Sequence, residues 1–180
     1  MLILEGADQL GKTTLANKLL KELHKRGYPY VYRHFTRLPD CWKYPMSYLA
    51  HVSEPVVQDR FHMSEIVYTY MRNEPQKLTD IDYKDVDSWV KESCGFTVLL
   101  TATDRFLHQQ WKASNRKEMY TFQQNVVANR LFKFIADGKM SGYDPHFDAT
   151  FHLDDFIDDG FVEPIIDDYE KTIRKVKKIC

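Results

Sequence analysis

The 180-residue chain has few cysteines, and the three present, Cys41, Cys94 and Cys180, are scattered. They form no Cys-x-x-Cys and pair with no histidine at metal-ligand spacing, which argues against a disulfide framework and against a structural zinc site. An odd, sparse set of this kind fits reduced thiols in a cytoplasmic protein. No apolar run approaches the roughly 18 residues a transmembrane helix needs, so none is expected. Strand-like sequence from Met1 onward leaves no signal-peptide pattern. A basic excess is also missing. Lys and Arg number 25 against 26 Asp and Glu, a net charge of −1, which is not the global footprint of a duplex-binding protein. Internal repeats and low-complexity tracts are absent, which excludes a solenoid or a disordered array.

What is present points to a packed core. The hydrophobic fraction is 43% with 14% aromatic residues, and a chain of this length is expected to form one domain over residues 1–180. Charge is unevenly spread towards the C-terminus: ten acids and no Lys or Arg from Asp144 to Glu170, then five bases and no acid from Lys171 to Lys178. Acids early and bases late suit the dipole of a C-terminal helix.

The stretch Gly6-Ala7-Asp8-Gln9-Leu10-Gly11-Lys12-Thr13-Thr14 holds the spacing Gly-x4-Gly-Lys-Thr between an apolar run and a helical pattern, the context a phosphate-binding P-loop requires. Gly6 and Gly11 lack a Cβ and can take positive φ, curling N–H groups around phosphate oxygens. The helix that starts near Lys12 aims its positive end at the same anion. Lys12 is placed to bridge the β- and γ-phosphates and Thr13 to ligate magnesium. The pattern points to a bound nucleoside triphosphate, ATP, with Mg²⁺.

Strands and helices alternate along the chain. Residues 1–5, 30–35, 55–59, 96–101 and 149–153 read as strands. Helical spacing follows the P-loop as far as Gly27. It recurs over 62–72, 85–94, from about 104 to a charged break at 114–117, through Phe122 to Ile135, and in the last segment. Residues 36–48, with two prolines, read mostly as loop with room for a short helix. Alternation of this kind means an α/β fold with a parallel sheet covered on both faces. Ligands of such sheets bind beyond the C-terminal strand ends, where the P-loop, Phe35–Arg37, Asp59-Arg60 and Thr101–Asp104 all fall. Asp59 is suited to hold magnesium through water, and Arg60 to neutralise a transferring phosphoryl group.

Three stretches resemble the thymidylate kinase family of nucleoside monophosphate kinases. They are the P-loop with Asp8, Thr36-Arg37-Leu38-Pro39 after the second strand, and Asp59-Arg60-Phe61-His62-Met63-Ser64-Glu65-Ile66-Val67-Tyr68 after the third. The resemblance implies a three-layer α/β/α domain with a five-stranded parallel sheet ordered 2-3-1-4-5 and a lid over roughly 110–120. By the same resemblance Gly6, Asp8, Gln9, Leu10, Gly11, Lys12, Thr13 and Thr14 surround the ATP phosphates, and Asp8 lies near the acceptor sugar and the metal. Arg37 would grip the acceptor's phosphate, work that suits a bidentate guanidinium. Phe61 and Tyr68 would line the acceptor, with Tyr68 leaving no room for a 2′-hydroxyl.

Gln9 stands where some relatives keep a P-loop arginine, so Arg116 in the lid segment, with Lys112 and Lys117 nearby, is the expected mobile cation beside Arg60. The segment between Arg37 and the third strand is much shorter than in the family, and Trp42, Tyr44 or Tyr48 would stand in as the base-stacking surface. The implied reaction is ATP-dependent phosphorylation of a dTMP-like deoxynucleoside 5′-monophosphate to the diphosphate, catalysed by Lys12, Arg60, Arg116 and Asp8 with Thr13 and Asp59 on Mg²⁺. A homodimer through the apolar face around Met63–Tyr70 is implied by analogy.

Two other readings stand beside it. A kinase acting on a hydroxyl of a nucleoside, or of a modified pyrimidine in DNA, would need a general base, and Asp8 or Glu5 would supply it. A nucleotide-dependent switch or ATPase would want Asn-Lys-x-Asp after a strand, or Asp-Glu closing strand three, and the chain has neither.

Overall fold

The computed structural model describes residues 1–35, 46–114, 120–139, 144–155 and 160–176. Its elements in chain order are β1 (Leu2–Glu5), α1 (Lys12–Lys25), β2 (Val31–His34), α2 (Met46–Leu49), β3 (Val56–Asp59), α3 (His62–Met71) and α4 (Asp80–Glu92). They continue with β4 (Phe96–Thr101), α5 (Asp104–Ala113), α6 (Phe122–Ala136), β5 (Ala149–His152), a 3₁₀ turn over Leu153–Asp155, and α7 (Val162–Val176). The five strands form one parallel sheet in the order β2-β3-β1-β4-β5, as expected. Helices cover both faces, making a three-layer α/β fold.

Burial follows the strand order. Every residue of β1, β3 and β4 is buried, whereas β2 and β5 at the sheet edges are largely exposed or half-buried. This is why the central strands read as continuous apolar runs, since a parallel sheet is covered on both sides. Helix α1 turns Leu15, Ala16, Leu19 and Leu23 inward and packs on β3 and α7. On the other side α6 packs on α3, α5 and β4. Fully burying each leucine of the α1 stripe stabilises the fold by about 1.5–3 kcal/mol.

Helix ends carry the capping residues their sequences offer. Thr103, Thr121 and Thr79 each accept an N–H of the first turn, and at Thr121 and Thr79 the partners Gln124 and Asp82 complete capping boxes. The Thr79 box starts α4 at Asp80, ahead of the start at Asp85 that periodicity suggests. The early turn is held by its cap, while its apolar stripe of Tyr83, Val86 and Val90 begins only later.

Two further expectations are corrected. Tyr48, a candidate base-stacking surface, is 0% exposed and packs edge-on against Phe61, with ring centroids 5.2 Å apart; it is core. The Met63–Tyr70 face, expected at a dimer contact, is consumed within the chain. Met63, Ile66 and Val67 are buried, and Tyr70 alone of that face is a large exposed apolar side chain.

Candidate functional site

The C-terminal ends of β1 and β3 lie side by side, with Leu4 paired to Asp59, so the loops after both strands share one cleft. After β1 the backbone curls through three left-handed residues, Gly6 (φ 139°), Gln9 (φ 62°) and Gly11 (φ 72°). A Cβ on Gly6 would lie 2.5 Å from the Leu100 carbonyl oxygen, so this position takes glycine for space as well as for φ. Leu10 is buried and offers the loop only its backbone. Helix α1 then begins with no side-chain cap and no acid in its first turn. Its first N–H groups are left for an outside acceptor, the arrangement that holds anions at helix N-termini. Lys12 is 5% exposed, and its Nζ donates to the Ala7 carbonyl at 2.5 Å. Thr13 and Thr14 are exposed on the first turn.

Asp59 is the hub of the cleft. Its Oδ2 accepts from Thr13 Oγ1 at 2.8 Å and from the Tyr32 hydroxyl at 3.1 Å, and His34 Nδ1 lies 3.3 Å away. Oδ1 is buried and has no hydrogen-bond partner among the described residues. Burial pushes the Asp59 carboxyl up, but the contact with His34, the Lys12 charge and the Thr13 hydroxyl together outweigh it and hold the group below the ordinary aspartate value. A threonine hydroxyl beside an ionised carboxylate with one oxygen unspent is a hard-oxygen donor set that fits Mg²⁺. The contacts of Tyr32 and His34 with Asp59 escaped the sequence reading, although a signal existed. His34 is the register partner of Asp59 across the β2–β3 ladder, and Tyr32 lies two residues earlier on the same face.

Arg60 leaves β3 in a left-handed conformation (φ 72°) that a non-glycine residue rarely takes. Its guanidinium pairs with the carboxylate of Asp8 in the P-loop and stands 4.6 Å over the Tyr68 ring, a cation–π contact. Tyr68 in turn stacks on Tyr120 (5.3 Å, 27°). Burial pushes its phenol up to about 12, against the opposing pull of Arg60, so it stays neutral at physiological pH. Asp8, Lys12, Thr13, Asp59, Arg60 and Tyr68 are thus gathered into one cleft. Beside Tyr68 opens a small pocket of about 20 Å³, room for about one water, walled by Phe35, Arg60, Ser64, Glu65 and Arg72 as well as Phe61. Arg37, Trp42, Tyr44, Arg116 and Lys117 lie outside the described residues.

Glu5 is not a candidate base. It is 0% exposed, its Oε1 accepts the N–H groups of Phe61, Met63 and Ser64 at 3.0, 3.1 and 3.3 Å, and its Oε2 accepts the Ser64 hydroxyl at 2.5 Å. It ties β1 to the N-terminus of α3 and so aligns P-loop and pocket. Replacing Glu5 by Ala strands these donors and is expected to cost about 2–4 kcal/mol of unfolding free energy, read by chemical denaturation. Replacing it by Gln, which still accepts, should cost less. Burial raises the Glu5 carboxyl despite the Ser64 hydrogen bonds. A folded value above the unfolded one gives a stability contribution that is fullest in acid and fades as pH rises through the folded value. The difference in stability between wild type and Glu5→Gln should therefore move with pH in that direction.

No family model matches the chain, and no curated protein matches it. Among solved structures the chain is similar to the YorR protein of Bacillus subtilis in complex with phosphorylated GDP, at 22% identity over 92% of each chain with a TM-score of 0.66. That likeness is one of fold, and it covers nearly the full length of both chains.

Proposed function

We propose that the protein transfers the γ-phosphoryl group of ATP to the 5′-phosphate of a deoxynucleoside monophosphate. The observation that carries this reading is the Asp8–Arg60 pair, which joins the anion-binding loop directly to the pocket beside α3. A phosphate donor on the loop and a phosphate acceptor in the cleft beside α3 would meet at that junction. The fold neighbour's phosphorylated GDP is consistent with a nucleotide held on this architecture.

Each residue then has a physical task. Lys12 moves its ammonium from the Ala7 carbonyl to the β- and γ-phosphates, and the P-loop N–H groups orient them. Thr13 and the unspent Oδ1 of Asp59 would hold Mg²⁺, which supplies charge neutralisation across the phosphates when bound. Arg60 balances charge on the transferring group, held in place by Asp8 and Tyr68. Arg37 grips the acceptor phosphate, and Arg116 closes from the lid segment to exclude water. Tyr68 packs against the sugar and disfavours a 2′-hydroxyl, while Phe61 walls the acceptor.

A hydroxyl acceptor is disfavoured on chemical grounds. It needs a general base, and of the two candidates Glu5 is sealed under α3 and Asp8 is spent on Arg60. A phosphate acceptor is already ionised and needs none. The test is a panel of deoxynucleoside monophosphates, nucleosides and oligonucleotides with labelled ATP and Mg²⁺. Label should appear in the diphosphates; transfer confined to nucleosides or DNA would refute the monophosphate reading.

A further inference from the structure

Gln58 is an odd side chain for its place. It is 0% exposed within the sheet, between Ile3 of β1 and Arg33 of β2 in the ladder. A parallel sheet covered on both faces calls for an apolar residue there. Its amide is also only half used. Nε2 donates to the Arg60 carbonyl at 2.9 Å, while Oε1 is buried with no hydrogen-bond partner among the described residues. A buried amide left half satisfied costs stability, so packing does not account for it.

The bond it makes falls on a strained residue, since Arg60 stands at φ 72°. A residue's φ and ψ are set by the peptide planes on either side of it, and both planes flanking Arg60 are pinned at both ends. In the plane before it, the Asp59 carbonyl accepts the Phe35 N–H at 3.1 Å and the Arg60 N–H donates to the Leu4 carbonyl at 2.9 Å. In the plane after it, the Arg60 carbonyl accepts from Gln58 and the Phe61 N–H donates to Glu5 Oε1 at 3.0 Å. The first pair runs backbone to backbone and continues the sheet ladder. The second depends on two side chains. Glu5 serves the rest of the α3 N-terminus as well, whereas among the described residues the Gln58 amide bonds to Arg60 alone.

Resting on the phosphoryl-transfer reading above, we propose that Gln58 is a positioning residue for that reaction. By holding the peptide after Arg60 it keeps this residue left-handed, the conformation from which the guanidinium reaches Asp8 in the P-loop and lies over Tyr68. With that plane released, Arg60 relaxes towards the negative φ that a residue with a Cβ prefers. The Cα–Cβ bond turns with the backbone and carries the guanidinium off the junction between donor and acceptor phosphates. The loss falls on rate more than on binding, because the charge Arg60 balances is that of the transferring group.

The experiment is a double-mutant cycle on kcat, with MgATP and the best acceptor of the deoxynucleoside monophosphate panel. It compares wild type, Gln58→Met, Arg60→Ala and the double variant. Methionine keeps the length and volume of glutamine but cannot donate. Gln58→Met should lower kcat about 10-fold or more, with both KM values within about 3-fold of wild type. In the Arg60→Ala background the same change should alter kcat less than about 2-fold, since no guanidinium is left to misplace. An equal loss in both backgrounds is what a merely structural amide gives, and it overturns the proposal, as does wild-type kcat in Gln58→Met.

A second readout needs no turnover. The Arg60 Nε–H resonance, identified by its loss in Arg60→Ala, should be shifted by the Tyr68 ring in wild type and return to the position of a free arginine in Gln58→Met. An unmoved resonance overturns the proposal. Should Gln58→Met fail to fold by circular dichroism, Gln58→Asn, whose amide sits on a shorter stem, carries the same cycle with the same expectations. A wild type that transfers to no monophosphate defeats the phosphoryl-transfer reading and this inference with it. Transfer without coupling between positions 58 and 60 defeats the inference alone.

Discussion

Replacing Lys12 by alanine is expected to lower kcat by about 10³-fold or more, near 4 kcal/mol of transition-state stabilisation. The ammonium is the one side-chain charge carried by the P-loop helix at its buried start. In-line phosphoryl transfer needs little covalent chemistry from the protein, so positioning and charge neutralisation make up nearly all the rate gain. Losing the cation also removes one of the influences that hold the Asp59 carboxyl low, which weakens the donor set for Mg²⁺. The loss should fall mainly on kcat, with a smaller rise in KM for ATP because the loop N–H groups remain. Lys12→Arg should not rescue, since a guanidinium is wider than the space an ammonium occupies against Ala7. Steady-state kinetics with thermal unfolding as a fold control check this. Turnover within about 10-fold of wild type would remove Lys12 from the chemistry.

Arg60→Ala is expected to lower kcat by about 10²–10³-fold. Three observations meet at this residue: the pairing with Asp8, the stacking over Tyr68, and the left-handed backbone. A residue held at positive φ costs of order 1 kcal/mol or more, and such strain concentrates at functional sites. Stability and activity should therefore separate. Arg60→Gly and Arg60→Ala both lose turnover, but the glycine variant relaxes the backbone and should be more stable than the alanine variant by about 1 kcal/mol. Arg60→Lys, charged but without the planar fork, should fall between wild type and Arg60→Ala. Equal stability of the Gly and Ala variants would contradict the strain argument, and full activity in both would remove Arg60 from the site.

Much of this architecture is legible in the residues. The apolar runs of β1, β3 and β4, punctuated by helical spacing, dictate a parallel sheet because buried strands carry apolar side chains on both faces. The Gly-x4-Gly-Lys-Thr spacing locates the left-handed turns at Gly6 and Gly11. Less legible are the contacts made across the sheet. Glu5 reads as a free acid at a strand end, and only the packing of α3 over β1 shows that its oxygens are taken by backbone N–H groups. Asp59 reads as a metal ligand beside Thr13 alone, whereas β2–β3 register brings Tyr32 and His34 onto it as well. Register is a long-range property that no local pattern states.

The account's central claim is that the cleft joins a triphosphate donor to a phosphate acceptor. Phosphorus NMR of the protein with ATP, Mg²⁺ and a deoxynucleoside monophosphate tests it most directly. ADP and a deoxynucleoside diphosphate should appear in equal amounts with no inorganic phosphate, and both should vanish when the monophosphate is left out. Inorganic phosphate released at the same rate with or without the monophosphate would contradict the claim.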